Sequence, residues 1–158
     1  MKPLLTLSRH FAPDPAAPFY CKALLQIYRG ETAMPKAITI KIGKVKLKGE
    51  FNDTAAGRAM GEALPIECQW SRWGEEYYGT TRPAFASHPG AATDLMEVGD
   101  LAYHAQNGWF CLFFGPTPAS RGKEPRAAVP VQKVGRVTGD WTTVKGLGES
   151  VKALIEAA

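Results

Sequence analysis

Cysteine is scarce in this sequence and long apolar runs are missing, and each shortage excludes a class of protein. Among 158 residues there are three cysteines, Cys21, Cys68 and Cys111. An odd number at wide spacing suits neither a disulfide framework nor a zinc site, and it is typical of reduced thiols in the cytoplasm. No segment approaches the roughly 18 consecutive apolar residues that a membrane-spanning helix needs. We therefore predict a cytoplasmic protein that makes no contact with membranes.

Concentrated positive charge is also lacking, and histidine is rare. The net charge is only +4, and the one regular basic pattern, Lys44, Lys46 and Lys48, alternates with Val45 and Leu47. Such a stripe could bind phosphate, but no interleaved aromatic residues or nucleic-acid motif accompany it, which favours a solvated strand face. The three histidines are scattered and share no metal-ligand spacing. We expect no nucleic-acid partner, no metal and no other cofactor.

Proline divides the chain into two parts. Four of the 12 prolines lie within the first 18 residues, and regular strand patterns begin only after Met34. We predict that residues 1–33 form a loosely attached extension, with Met34 as an alternative start, and that residues 34–158 form one domain. The hydrophobic content of 45% and the charged content of 22% are ordinary for one soluble globular core.

The first pattern after Met34 is a hairpin followed by a helix. ITIKI at 38–42 and VKLKGEF at 45–51 alternate apolar and polar residues around Gly43-Lys44, which predicts two antiparallel strands. Asn52 or Asp53 is placed to cap a helix in the segment TAAGRAMGEAL that follows. The small residues of that segment suit close packing against a sheet.

The middle and the end of the chain also show mostly strand patterns. IECQW and WGEEYYG follow Pro65, and DLAYHAQ and WFCLFFG form a second hairpin around Asn107-Gly108. Four prolines between Gly115 and Pro130 predict a loop, after which VQKVGRVTGD resumes a strand and VKGL forms a short helical turn. ESVKALIEAA remains open, because its composition favours a helix whereas closure of a barrel requires a strand.

The strand within WFCLFFG is apolar on both faces. Alternation divides its side chains into two sets, Trp109, Cys111 and Phe113 on one face and Phe110, Leu112 and Phe114 on the other. A strand of this kind needs cover on both faces. We predict that the barrel interior covers one face, and that the proline-rich loop covers the other or forms the rim of a groove.

Four ordered segments resemble one known family. They are WGEEYYG at 73–79, GDLAYH at 99–104, FFGPTP at 113–118 and EPRAAVPVQKVGRV at 124–137. Together they resemble the small bacterial and archaeal proteins with a cyclophilin-like fold, over residues 36–156. The resemblance implies a mainly β protein, a closed eight-stranded antiparallel β-barrel with one capping helix over an open end and a short second helical turn. It also implies that ESVKALIE is the closing strand, while the function of the family is largely uncharacterised.

True cyclophilins are peptidyl-prolyl isomerases, and this sequence departs from their signature. That signature places an arginine in a Phe-His-Arg strand, followed by a Phe-Met-x-Gln-Gly-Gly strand. The corresponding region here is PIECQWSRWGEEYYG, which contains neither motif. Arg72, between Trp70 and Trp73, is the one candidate for the catalytic role, but such an arginine often packs its stem on a tryptophan at the surface. Enzymatic activity is left open, and if present it would be like that of a peptidyl-prolyl isomerase.

The candidate ligand site combines the WGEEYY strand with the proline-rich loop. Glu76 and Tyr78 share one strand face, and loops held by a rigid scaffold often carry function. A solvated strand beside a rigid surface loop would fit the same residues. The predicted ligand-binding residues are Trp73, Glu76, Tyr78, Tyr103, Phe113, Thr117, Arg121 and Arg126.

Three functions fit this pattern. The leading hypothesis is a binding domain for a small molecule or peptide, which would lie in a groove formed by these residues. The second is a peptidyl-prolyl isomerase with an altered site. The third is a structural or self-association module, such as a homodimer, that uses exposed aromatic side chains as its interface.

Overall fold

Nine strands and two helices follow one another along residues 35–158, the part of the chain that this computed structural model describes. The predicted extension at residues 1–33 and the alternative start at Met34 lie outside the described residues. The elements are β1 (Lys36–Ile42), β2 (Val45–Phe51), α1 (Ala55–Glu62), β3 (Ile66–Arg72), β4 (Glu76–Arg82), β5 (Thr93–Leu95), β6 (Asp100–His104), β7 (Trp109–Phe113), β8 (Arg126–Thr138), α2 (Trp141–Lys145) and β9 (Ser150–Ala157).

Eight of the strands close into a barrel. Their order is β2-β1-β9-β3-β4-β7-β6-β8, and β8 returns to pair with β2. Every pairing around this circle is antiparallel. Each of the eight strands therefore has a neighbour on both sides, which satisfies the backbone groups that an open sheet edge would expose. The predicted closed eight-stranded antiparallel barrel is confirmed.

The C-terminal segment, whose composition left helix and strand open, is the strand β9. It pairs with β1 on one side and with β3 on the other. Ala153 and Ile155 alternate into the core, whereas Lys152 is exposed. Two ladders of hydrogen bonds and this burial outweigh the helix propensity of alanine and glutamate. The strand that the family resemblance implied is confirmed.

β8 is longer than the sequence predicts. It begins at Arg126, within the segment whose prolines predict a loop, and extends over 13 residues. Residues 132–138 pair with β6 and β2, whereas the first part of β8 pairs only with the short strand β5. Pro130 is tolerated because it lies in this part, where an unpaired side leaves room for a residue without an N–H group. β5 is an additional strand outside the barrel, and the sequence did not reveal it.

The two faces of β7 have different neighbours. The inward side chains belong to the main core together with large residues of β3 and β4, and this set includes Phe110, Leu112, Trp70 and Tyr77. The outward side chains belong to a second apolar cluster that includes Cys111, Phe113, Met96, Ala127 and Val131. The outward face is thus covered largely by the first part of β8, a strand, within the segment predicted to be a loop.

The first helix, α1, packs at the end of the barrel where β2 ends. It begins at Ala55 because the side chain of Thr54 accepts a hydrogen bond from a backbone N–H of the first turn. The predicted caps were wrong by one or two positions: the Asn52 side chain instead accepts a hydrogen bond from the Thr54 hydroxyl, at 2.5 Å, and Asp53 does not cap. Met60 enters the main core, so the helix closes this end of the barrel.

The second helix, α2, is a short turn at the opposite end, beside the last residue of β3. Asp140 caps it by accepting hydrogen bonds from the N–H groups of Thr142 and Thr143, at 3.0 and 3.3 Å. Hydrogen bonds from Thr143, side chain first, lower the pKa of the Asp140 carboxyl. Val144 is fully buried in the main core. The predicted short second helical element is therefore present.

Candidate functional site

A pocket opens on the outer face of the barrel, between β4, β7 and the first part of β8. Its volume is about 200 Å³. The register of β4 and β7 places Glu76 opposite Phe113 and Tyr78 opposite Cys111, so these alternate side chains share the outer face. The residues that line this outer-face pocket are Trp73, Glu76, Tyr78, Trp109, Cys111, Ala127, Ala128, Val129 and Val131.

Trp73 reaches the pocket because the chain turns tightly between β3 and β4. The N–H of Trp73 donates to the Glu76 carbonyl at 2.9 Å, and the N–H of Glu76 donates to the Trp73 carbonyl at 3.2 Å. Gly74 in this turn has a φ of +61°, and a Cβ atom there would lie 2.9 Å from both Thr117 Cα and Pro118 Cδ. The turn is packed against the loop that follows β7, in a conformation and a space that favour glycine.

Three half-buried aromatic side chains, Trp73, Tyr78 and Trp109, form much of the pocket wall. Tyr78 and Trp109 meet edge to face, with ring centroids 5.3 Å apart and planes at 64°. The His104 ring lies 6.3 Å from that of Trp109. Aromatic rings offer apolar area to a ligand, and their faces also attract cations. The wall can therefore accept an alkyl, aromatic or cationic group.

Glu76 carries the only carboxyl group among the lining residues, all of which lie in the described part of the chain. It is 5% exposed, and none of the ion pairs formed within residues 35–158 includes it. Burial raises the pKa of this carboxyl to about 7, although a hydrogen bond with Cys111 acts in the opposite direction. Near neutral pH the group therefore exists in both forms, and it can accept a hydrogen bond or donate one.

The Cys111 side chain is as deeply buried as that of its neighbour Glu76. It is 3% exposed, and burial first and then the charge of Glu76 raise its pKa well above the usual value. A thiol held in this neutral form is a poor nucleophile. Cys111 therefore acts in the pocket as a small apolar wall and a weak hydrogen-bond donor.

Five of the eight predicted binding residues lie outside the lining of this pocket, namely Tyr103, Phe113, Thr117, Arg121 and Arg126. Tyr103 belongs to the main core and donates its hydroxyl proton to the Phe85 carbonyl at 2.8 Å. Phe113 is completely buried in the outer apolar cluster, next to the pocket. Both residues therefore pack within the apolar clusters on either side of the barrel wall. Direct contact of these residues with a ligand stays a prediction.

The proline-rich loop satisfies many of its own polar groups. The Thr117 hydroxyl donates to the Arg126 carbonyl, and the Arg126 guanidinium pairs with Asp94 at 3.0 Å and with Glu124 at 3.3 Å. Hydrogen bonds, first from the backbone N–H of Arg121, lower the pKa of Glu124 to about 2. The polar groups of Thr117 and Arg126, two of the predicted ligand-binding residues, are thus engaged within the protein, while the Arg121 side chain is exposed.

Arg72 is also committed to internal contacts. Its guanidinium donates to the carbonyls of Gly74, Lys145 and Leu147 at 2.9, 2.7 and 3.2 Å. The same group lies 5.3 Å from the centre of the Phe114 ring. Arg72 therefore ties the end of β3 to α2, and it does not line the outer-face pocket.

Trp109 and Cys111 line the pocket although they were not selected from the sequence. The signal for them was the alternation of β7, which places both on the same face as Phe113. What the sequence lacked was the register between β4 and β7, which brings this face beside Glu76 and Tyr78. Three of the four lining residues from β8, Ala127, Ala128 and Val129, lie in the segment whose prolines predicted a loop, whereas Val131 was predicted to be in a strand.

A larger depression of about 720 Å³ lies on the outer face of β1, β9, β3 and β4. Its charged lining residues are Lys41, Glu67, Arg82 and Lys152. Most of these are exposed, as is usual for a solvated sheet face.

Within residues 35–158, no three or more His, Cys, Asp or Glu side chains are grouped so that they could hold a metal ion. None of the helices in the same residues has the length and apolar character needed to cross a membrane.

The closed antiparallel barrel, with a helix at either end and a pocket on its outer wall, defines a small cyclophilin-type β-barrel domain. The chain belongs to the Cyclophilin-like family, whose sequence model matches residues 36–156. It is similar to a hypothetical protein from Archaeoglobus fulgidus of known solution structure, with 31% identity and a TM-score of 0.65. That similarity covers 82% of this chain and 99% of the archaeal one. No curated protein matches the sequence.

Proposed function

We propose that this protein binds a small ligand, or one side chain of a peptide, in the outer-face pocket. The observation that carries the proposal is Glu76, a carboxyl group 5% exposed at the wall of an open pocket, surrounded by aromatic rings. Carboxyl groups are rarely buried without a charged partner, because the loss of hydration is costly. A strongly perturbed carboxyl in a concave site is a common mark of a functional site.

The size of the pocket limits what enters it. Pockets that enclose a whole drug-sized ligand typically measure about 300–1,000 Å³, whereas this one measures about 200 Å³. A head group or a single side chain fits, while the rest of a larger ligand would extend over the neighbouring surface. The exposed residues Ala128 and Val129 lie at that boundary.

Peptidyl-prolyl isomerisation has less support than binding. The mechanism needs a guanidinium that hydrogen-bonds the prolyl amide beside an apolar pocket. The lining residues of the outer-face pocket, all in the described part of the chain, include no arginine. The guanidinium of Arg72 already donates to three backbone carbonyls.

Self-association is the second candidate, and an open strand edge favours it. β5 pairs only with β8, and within the described residues its other side has no strand partner. Leu95 in β5 and Val98 just after it are 49% and 40% exposed. An unpaired edge beside exposed apolar side chains is a surface on which a second copy could pair.

Nuclear magnetic resonance with a chemically diverse library tests the binding proposal. The library contains amines, amides, carboxylic acids and short peptides, and the readout is the backbone N–H and indole N–H shifts of isotope-labelled protein. We expect some compounds to shift the signals of pocket residues, because these residues surround the bound compound. They are Trp73, Trp109, Ala127, Ala128, Val129 and Val131. A screen in which no compound shifts these signals would overturn the proposal.

Two tryptophan variants supply a matched control. Ala128→Trp places a large ring at the mouth of the pocket from an exposed position, so we expect it to abolish these shifts without disturbing the core. Thr142→Trp adds the same side chain at an exposed position of α2 and should leave them unchanged. Equal loss of the shifts in both variants would also count against the pocket.

A further inference from the structure

The described lining of the outer-face pocket contains an acidic group, Glu76, and no basic side chain. The ionisable groups that line the pocket with it are the Cys111 thiol from β7 and the Tyr78 phenol from β4, and neither is positively charged. The part of β8 that covers the pocket contributes only alanine and valine. The described lining therefore offers one buried carboxyl group and three aromatic rings, without a cation to partner them.

We propose that the ligand carries an organic ammonium group, which lies between the Glu76 carboxylate and the rings of Trp73, Tyr78 and Trp109. This inference rests on the proposed function, since it names the chemical class of ligand for the same pocket. An ammonium group supplies the positive partner that Glu76 lacks, and its N–H or N–CH₃ groups can face the aromatic rings. Both interactions are strongest where water is excluded.

The same chemistry disfavours an anionic ligand and sets a condition for a neutral one. An anion would place a second negative charge beside the carboxyl group without a cation to offset it. A neutral ligand with a hydrogen-bond acceptor would need the protonated form of Glu76, because an ionised carboxylate only accepts hydrogen bonds. Cation binding and neutral-acceptor binding therefore require opposite protonation states of one residue.

Because the two kinds of ligand require opposite protonation states of Glu76, their affinities should change with pH in opposite directions. Because the pKa of Glu76 in the free protein is raised to about 7, an ammonium ligand releases a proton on binding and should bind more tightly as pH rises from about 6 to about 8.5. A neutral acceptor should bind less tightly over the same range. The Cys111 thiol stays protonated in that range, because burial raises its pKa well above the usual value.

Isothermal titration calorimetry with matched probes tests the proposal. Choline carries a quaternary ammonium group, 3,3-dimethylbutan-1-ol is its neutral carbon isostere, and Nα-acetyl-lysine methylamide presents the ammonium group of a peptide side chain. We expect choline or the lysine derivative to bind at least about tenfold more tightly than the neutral alcohol near pH 8. Preference for choline would indicate a free small molecule as the source, and preference for the lysine derivative would indicate a peptide.

Two variants assign the effect to the carboxylate and to the rings. Glu76→Gln keeps the size of the side chain and removes the charge, so we expect it to lose about tenfold in ammonium affinity together with the pH dependence. Trp109→Leu keeps an apolar wall and should weaken choline more than the alcohol. Far-ultraviolet circular dichroism and the indole N–H spectrum check that both variants fold.

The outcomes separate this inference from the proposed function. Equal binding of choline, the lysine derivative and the alcohol, or ammonium affinity unchanged in Glu76→Gln, would overturn the ammonium inference and leave a binding pocket in place. The same holds if neither ammonium probe binds while other library compounds shift the pocket signals. If no compound of any kind shifts those signals, both proposals fail.

Discussion

Glu76 is a carboxyl group that the folded chain holds away from water, and the cost of doing so depends on pH. Its pKa is about 7 in the folded protein, against an ordinary value of 4.5. Between these two values the folded state binds a proton that the unfolded state has released, so the free energy of unfolding decreases as pH rises. We expect this residue to lower the stability by roughly 3 kcal/mol between about pH 4 and about pH 8.

Urea denaturation of the Glu76→Gln variant measures this cost. The variant should gain stability relative to the wild type at about pH 8, with little difference at about pH 4. Glu50→Gln, at an exposed position of β2, is the control and should not show this pH-dependent gain. A difference between wild type and Glu76→Gln that is the same at both pH values would contradict the raised pKa.

The pocket residues show what the alternation of side chains along a single strand can predict and what it cannot. Alternation alone correctly placed Glu76 and Tyr78 on one face of β4, with Tyr77 on the other, in the main core. Alternation did not show which face of β6 points into the barrel, and the pairing of β6 with β7 places Tyr103 opposite the inward residue Phe110. Side-chain direction follows from one strand, whereas contacts between faces depend on pairing that the sequence does not display.

The turn between β3 and β4 and the loop after β7 act as one packed unit, and Gly74 is where they meet. We expect Gly74→Ala to reduce stability by two effects, a positive φ that costs an alanine roughly 1–2 kcal/mol and a Cβ atom too close to the backbone of Thr117. Urea denaturation measures the loss. The indole N–H of Trp73 should shift as well, because that residue precedes the turn.

Gly43 in the β1–β2 hairpin provides the matched comparison for Gly74. Its φ is +59°, close to the +61° of Gly74, but a Cβ atom there would have no neighbour within 4 Å. Gly43→Ala therefore reports the backbone strain alone. Gly74→Ala should cost about 1 kcal/mol or more beyond it, the usual effect of overpacking. Equal losses in the two variants would mean that the loop after β7 yields and that the unit is not tightly packed.

At the level of whole elements, local patterns predicted the hairpins and the family resemblance corrected the last segment. β9 could not be identified from composition, because its pairing with both β1 and β3 is what determines the strand. In β8 the sequence analysis predicted a loop where the structure has a strand. Proline is excluded from strands that are paired on both sides, but the first part of β8 is paired on one side only. β5 is three residues long, too short to carry an alternation signal.

In the molecule as a whole, eight strands close the barrel, and the pairing of β5 with the first part of β8 lies outside it. The same pairing covers the outer face of β7 through Ala127 and Val131, and so builds one side of the outer-face pocket. The family fold therefore implied the barrel, whereas the pocket depends on the first part of β8, which lies outside the circle of eight strands. Changes at β5 should affect the pocket and any interface between copies before they affect the barrel.

Self-association through the open edge of β5 stays a prediction, and it is a property of the assembled molecule rather than of one element. We expect sedimentation velocity to show a sedimentation coefficient that rises with protein concentration, because Leu95 presents an exposed apolar side chain on an unpaired strand. Leu95→Lys should suppress this rise, since a charged side chain on an edge strand opposes pairing with a second copy. Thr142→Lys, exposed on α2, adds the same charge elsewhere and should have no effect. A coefficient that is independent of concentration in the wild type would show that the edge remains free and that the homodimer does not form.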